Sequence, residues 1–319
     1  MPEKEINNSP ELTPGHRTCA GCPAPVIVRA VLESSDDPVV VAAATGCLEV
    51  TTTIYPQTSW NVPFIHSAFE NAAATIAGVE TAFQVLKKKK EKTKLEQGEG
   101  VFEKQFGFDL ANKINFIVFG GDGGTYDIGL QSLSGALERG HNFLYVCYDN
   151  QGYMNTGGQR SSASPKGADT STTPPGKFST GKTQFRKNLM EIVAAHDIPY
   201  AAQASPHNLA DLRSKAKKAF SIRGPKFINV LSPCPTVWKF PPGQSSEIAK
   251  LAVQTRFWPI YEIENHRLKL NWEPPEFTPV EEFLKTQKRF SHLFKTDQGK
   301  KEIQKIQQKI DLEWEKLKQ

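Results

Sequence analysis

Residues 114–124 read I-N-F-I-V-F-G-G-D-G-G: a nearly unbroken apolar run, Ile114 to Phe119, that leads straight into a glycine turn holding one carboxylate, Asp122. A short apolar run bounded by turn residues fits a strand buried on both faces of a parallel sheet. A helical pattern follows from about Ile128 to Arg139, so the stretch is half of a βαβ unit. Upstream, Val39 to Ala44 is a second such strand, ending in Thr45-Gly46-Cys47. Downstream, Phe143 to Tyr148 is a third, ending in Asp149-Asn150-Gln151-Gly152. Beyond it the pattern predicts a helix over 186–196, a strand near 198–202, a helix over 209–220 and a strand over 227–231, with Cys234 just after it. Strands that alternate with helices, with the chemically interesting residues at strand carboxyl ends, indicate an α/β fold with a doubly wound, mostly parallel sheet.

The same reading divides the chain. Residues 1–18 are a polar, extended N-terminal arm with Pro10 and Pro14, residues 19–260 the α/β domain, and residues 261–319 a C-terminal extension with helices. From Ser67 to about Lys90 apolar residues recur at helical spacing. The charged insert around 87–112 reads as a solvated helix end and an exposed loop, with a docking patch for an acidic electron carrier as the sharper alternative. Residues 279–317 form two terminal helices, the second with a narrow stripe of Ile303, Ile306, Ile310, Trp314 and Leu317 that suits a packing seam.

Composition narrows the function. Of 319 residues 38% are apolar and 23% charged, an ordinary soluble balance. The mean hydropathy of -0.45 suggests that some segments are covered by partner subunits. No apolar run nears the roughly 20 residues that span a bilayer, and the N-terminus has no secretory h-region. A cytosolic protein without membrane contact is expected. A net charge of +5 is too small to imply nucleic acid. Five cysteines in a reducing compartment argue for metal ligation or free thiols.

Two constellations carry chemistry. Asp122 inside a glycine turn is unwelcome to a phosphate unless a cation stands between them. Mg²⁺ takes carboxylate, amide, carbonyl and diphosphate oxygens, and Asp122, the Asn150 side chain and the Gly152 carbonyl would supply three of them. A Rossmann dinucleotide site would need glycine at 126, where Tyr126 stands. Cys19 and Cys22 form a C-x-x-C pair, with Cys47 and Cys234 apart; by count such thiols suit zinc or a [4Fe–4S] cluster equally. Cys147, mid-strand, reads as a core thiol. Residues 176–183, G-K-F-S-T-G-K-T, satisfy the P-loop pattern, but S-T-T-P-P precedes them where that motif needs a buried strand, so they read as a mobile polar loop near the active centre. His66 reads as a helix-start residue, and His16 as a cover for the thiol region.

These residues resemble the β subunits of 2-oxoacid:ferredoxin oxidoreductases, most closely those acting on pyruvate. The resemblance runs from about Thr13 to Leu293. It is carried by C-A-G-C at 19–22, W-N-V-P-F-I-H-S-A-F-E-N-A-A at 60–73, the stretch from Gly121 to Asn142, Y-D-N-Q-G-Y-M-N-T-G at 148–157 and S-P-C-P-T at 232–236. It implies a thiamine-diphosphate-binding fold, with Cys19, Cys22, Cys47 and Cys234 on a [4Fe–4S] cluster and Asp122, Asn150 and Gly152 on Mg²⁺. Gly46, Cys47, Gly121, Gly123, Gly124 and Thr156 would lie against the cofactor, and Asn155 would reach the substrate as the catalytic residue of this chain. It further implies oxidative decarboxylation of a 2-oxoacid, coenzyme A as co-substrate, ferredoxin as electron acceptor, and partner subunits of α, γ and δ type. One of those partners would bring the thiamine-activating glutamate. Other 2-oxoacids (2-oxoisovalerate, 2-oxoglutarate, oxalate) share the scaffold; a non-redox thiamine enzyme and a non-catalytic electron-transfer subunit are the competing readings.

Overall fold

The computed structural model describes residues 10–107, 110, 111 and 113–319. The first nine residues of the expected arm, and 108, 109 and 112 of the charged insert, lie outside the described residues.

In chain order the elements begin with α1 (Ala24–Leu32), β1 (Val39–Ala44), α2 (Cys47–Thr52), β2 (Phe64–Ser67), α3 (Ala72–Gln97) and α4 (Val101–Phe106). Next come β3 (Asn115–Gly121), a π-helical turn (Gly123–Asp127), α5 (Leu130–Glu138), β4 (Leu144–Asp149), α6 (Leu189–Ala194) and β5 (Tyr200–Ala204). The chain closes with α7 (Leu209–Ser221), β6 (Lys226–Leu231), α8 (Pro235–Trp238), α9 (Ser245–Gln254), β7 (Ile260–Glu264), β8 (Arg267–Trp272), α10 (Val280–Lys285) and α11 (Asp297–Leu317).

Among the described residues all eight strands join one sheet in the order β2-β1-β3-β4-β6-β5-β7-β8. The first six in that order are parallel; β7 and β8 are antiparallel. Residues of β3 and β4 alternate between two cores. Ile117, Phe119, Leu144 and Val146 pack with α1 and α7, while Phe116, Val118, Tyr145 and Cys147 pack with α3 and α5. Helices on both faces explain why these strands read as continuous apolar runs. Cys147 is fully buried, as a core thiol should be. A third core gathers α9, α10 and α11 around Trp238, Trp258 and Phe290. Ile303, Ile306, Ile310 and Trp314 are buried along α11, the seam that the apolar stripe suggested.

Several local expectations change. The chain from Phe64 to Ser67 is an edge strand, so His66 is not at a helix start; it is exposed, with Nε2 2.7 Å from the Thr45 hydroxyl. The helix that follows continues through the lysine run to Gln97, and α4 follows after a short break, where a loop was expected. Lys92–Glu96, Lys94–Glu99 and Lys90–Glu103 ion pairs run along this segment. Of the arm, Leu12 is fully buried, and the Thr13 N–H donates to Ser59 O at 2.7 Å, strapping it across the chain before β2. The β7–β8 hairpin, unread in the sequence, pairs with β5 across residue 260. Among the described residues no helix is long and apolar enough to cross a membrane.

Candidate active site

β1, β3, β4 and β6 are neighbours, and their carboxyl ends lead into Gly46 and Cys47, Asp122, Asn150 and Gly152, and Cys234 respectively. The chain steps from β1 outward to β2 and returns on the other side at β3. The crevice between β1 and β3 is therefore the reversal point of the winding, where such sheets hold ligands.

Asp122 is fully buried. Its Oδ1 accepts the Asn150 N–H at 3.2 Å and its Oδ2 accepts the Ser161 hydroxyl at 2.5 Å. The equally buried Asp149 has a cationic partner, Arg186, at 2.6 Å; among the described residues no ion pair reaches Asp122. Burial, and then the charge of Asp149, push the Asp122 carboxyl well above the usual carboxylate range. An ionised carboxylate so placed is costly until a cation joins it.

The neighbouring oxygens supply the remaining geometry. The Asn150 side-chain oxygen occupies a position 2.8 Å from Asp122 Oδ1 and 2.9 Å from the Gly152 carbonyl oxygen, with no donor between the three oxygens. Mg–O bonds of about 2.05 Å place adjacent octahedral ligands about 2.9 Å apart. Both separations have that edge length.

The turn that carries these oxygens is held from outside. Trp238 Nε1–H donates to Asn150 O at 2.9 Å, Ser164 Oγ–H donates to Gln151 O at 2.7 Å, and Arg289 donates to Gln151 Oε1 at 2.6 Å. Gln151 sits at φ 67°, a left-handed conformation rare outside glycine, which those bonds hold in place. None of these three partners was singled out in the sequence; each lies far from the turn along the chain.

The thiols of Cys19, Cys22, Cys47 and Cys234 come together at the same edge. Cys47 experiences the charges of Cys234, Cys22 and Cys19, and of Asp122 as well. Burial first, then those neighbours, push the Cys22 thiol to about 11 and Cys47 to about 12; Cys234 is raised for the same leading reason. Backbone N–H groups face two of the sulfurs, Ala24 at Cys22, and Thr236 and Val237 at Cys234. The C-x-x-C turn is docked rather than free. Gly21, at φ +75°, leaves no room for a Cβ, which would stand 2.2 Å from Pro242 O, and Ser245 Oγ–H donates to Gly21 O. His16, on the adjacent arm, bonds the Thr18 hydroxyl at 2.7 Å. Among the described residues no three His, Cys, Asp or Glu side chains converge as ligands of a single ion.

One cleft of ≈ 140 Å³, open on one side, has Cys47 in one wall and the Asn150–Gly152 turn in another. Its walls include Gly46, Cys47, Gly121, Gly123, Gly124, Asn150, Gly152, Asn155 and Thr156, with Phe69 and Met154 as apolar surface. Asn155 and Thr156 are exposed at its mouth, where the Thr156 hydroxyl bonds Gln159.

The description "Thiamine pyrophosphate enzyme, C-terminal TPP binding domain" matches residues 44–230, more than half of the chain. The pyruvate synthase subunit PorB of Thermotoga maritima is 50% identical over 99% of this chain and 92% of its own length. That of Methanocaldococcus jannaschii is 50% identical over 93% of each chain. The chain belongs to the 2-oxoacid:ferredoxin oxidoreductase β-subunit family. A ketoisovalerate oxidoreductase subunit VorB from Pyrococcus abyssi is 42% identical over 95% of this chain and 91% of its own. A solved 2-oxoglutarate:ferredoxin oxidoreductase from Magnetococcus marinus shares the fold, with a TM-score of 0.57 at 22% identity over 73% of this chain and 70% of its own.

In this β subunit the P-loop look-alike has another use. Lys182 is buried at 1% exposure, and its Nζ donates to Ser162 O at 3.3 Å and Ser164 O at 2.5 Å. Burial lowers it to about 8. It pins the segment whose Ser161 grips Asp122, and no strand precedes it. Lys182→Met leaves two carbonyls without their donor, at about 2 kcal/mol, so the melting temperature should fall by roughly 3 °C. Calorimetry on the variant checks this; an unchanged melting temperature with lost ATP binding would revive the nucleotide reading.

Trp238→Phe removes one donor and strands Asn150 O, a loss of about 1–2 kcal/mol. Affinity of the stripped complex for thiamine diphosphate with Mg²⁺ should weaken about tenfold, read by cofactor titration, while iron content stays constant.

Proposed function

We propose that this chain binds thiamine diphosphate, Mg²⁺ and one [4Fe–4S] cluster within a cytoplasmic hetero-oligomeric oxidoreductase that decarboxylates pyruvate, passes the acyl group to coenzyme A and sends electrons to ferredoxin. The observation that carries the reading is the shared cleft: Cys47 stands in one wall, and the glycines and oxygens suited to a metal–diphosphate stand in the others. Thiamine diphosphate, when bound, supplies the electron sink that lets a 2-oxoacid lose CO₂, and the cluster takes electrons one at a time.

The chain's own residues bind and orient. Asp122, Asn150 Oδ1 and Gly152 O would face Mg²⁺, whose charge removes the penalty on the buried carboxylate. Gly123 and Gly124 bring bare backbone to the diphosphate at the start of a helical turn. Phe69 and Met154 keep the reacting end dry, and Asn155 places an amide at the mouth where a 2-oxoacid carboxylate or carbonyl would enter. Half-buried thiols that repel one another, with N–H groups aimed at their sulfurs, suit thiolates shared by a multi-iron cluster. Five free cysteines accord with a reducing cytoplasm. Partner subunits of α, γ and δ type complete the site, including the glutamate that activates thiamine, so the chain alone should be inactive.

The test is acceptor-dye reduction by the assembled complex with pyruvate, 2-oxoisovalerate, 2-oxoglutarate and oxalate, each with and without coenzyme A. Pyruvate should give the highest kcat/KM, and only with coenzyme A. Preference for 2-oxoisovalerate would move the assignment to the branched substrate of the VorB relative. Pyruvate consumption without any acceptor would show a non-redox thiamine enzyme.

A further inference from the structure

Tyr148, next to last in β4, lies between the two turns that frame the cleft. Its hydroxyl oxygen is 2.9 Å from where a Cβ on Gly46 would stand and 3.3 Å from that of Gly121. Gly46 has an extended backbone that any residue adopts, so it is the close approach of Tyr148 that demands glycine there. The side chain is 1% exposed, yet its hydroxyl has no hydrogen-bond partner. The Leu48 N–H faces the oxygen without closing a full bond, so the hydroxyl proton in particular lacks an acceptor. Such an orphan costs about 1–3 kcal/mol. Three other buried tyrosines are satisfied: Tyr126 bonds Asp149, Tyr145 bonds Thr125 and Tyr200 bonds Glu262. Of the ionisable groups around Tyr148, Cys47 acts on it most strongly, ahead of Cys147 and Asp122.

We propose that Tyr148 donates its hydroxyl hydrogen to the Cys47 sulfur once that sulfur is an iron-bound thiolate, and thereby tunes the reduction potential of the cluster on the side facing thiamine. The proposal rests on the cluster reading above. A neutral thiol is a weak acceptor, whereas a thiolate accepts a charge-assisted bond. Metal ligation therefore creates the partner that the hydroxyl lacks. Hydrogen bonds to cluster sulfurs are among the terms that set its potential. The reduced cluster carries more negative charge, so the bond stabilises it preferentially and raises the potential. Tyr148 is a positioning residue in this account, acting through Cys47.

The experiment is Tyr148→Phe in the anaerobically assembled complex, with iron and thiamine contents measured beside an EPR-monitored redox titration. Iron and thiamine diphosphate should stay at wild-type levels while the midpoint potential becomes more negative. A second variant, Tyr148→3-fluorotyrosine, keeps the ring and strengthens the donor, so its midpoint should move the opposite way; it decides the matter if the Phe variant fails to assemble. An unchanged midpoint at full iron content overturns the proposal. Weakened thiamine binding with an unchanged midpoint also overturns it and assigns the hydroxyl to the coenzyme. Wild-type complex that holds thiamine diphosphate but no iron removes the cluster reading, and this proposal with it.

Discussion

Asp122→Asn should lower pyruvate turnover of the assembled complex by on the order of 10³. The metal's charge stabilisation is worth several kcal/mol, and each ~1.4 kcal/mol is a decade in rate. Cluster iron should be unaffected, because Asp122 contributes no thiol. The same substitution should stabilise the complex stripped of divalent ions, since it removes a buried carboxylate that no side-chain cation joins. The pH dependence follows from the raised pKa of Asp122. Between its unfolded value and the higher folded value, the native state binds more protons than the unfolded state, so stability falls as pH rises through that window. The stripped wild type should thus lose melting temperature from about pH 4 upward relative to Asp122→Asn, and Mg²⁺ with thiamine diphosphate should reverse the difference. A variant that keeps full turnover would show that the carboxylate holds no catalytic metal.

Cys22→Ser is the second large effect. It removes one thiolate from the cluster without touching the cleft, whose walls do not include Cys22. Loss of a direct ligand should exceed the 10–100-fold in metal affinity that outer partners cost. Iron should fall toward background and acceptor-dye reduction should drop more than about a hundredfold, while thiamine diphosphate still binds with near wild-type affinity. The protonated thiols, with Cys22 at about 11 and Cys47 at about 12, must lose protons to iron, so reconstitution of the apoprotein should become more favourable as pH rises from 7 to 9. Iron and dye reduction at wild-type levels in Cys22→Ser would exclude that residue as a ligand.

The core of the fold was legible because four apolar runs, at 39–44, 114–119, 143–148 and 227–231, need both faces covered, and each ends in turn chemistry. They proved to be β1, β3, β4 and β6, adjacent in the sheet, which is why residues as distant as Cys47 and Cys234 meet. What escaped reading has local causes. β2 offers only four residues, with Pro63 before them and a helix soon after, too short a run to read as a strand. β7 and β8 alternate apolar with charged residues at the edge of the sheet, and their charges masked the strands. The insert is rich in Lys and Glu, strong helix formers that extend α3 beyond the point where its apolar stripe fades. Trp238, Arg289, Ser161 and Tyr148 act on the site by contacts between segments far apart in the chain, and no spacing rule announces them.

The most direct measurement is joint quantification of iron, zinc and thiamine diphosphate in the anaerobically purified complex. Four irons from this chain's cluster and one thiamine diphosphate per copy, with Cys22→Ser removing only the irons and Asp122→Asn weakening only the coenzyme, are the expected results. Stoichiometric zinc with background iron, or full thiamine affinity in Asp122→Asn, would contradict a site in which sulfur-bound iron and a metal-anchored coenzyme share one cleft.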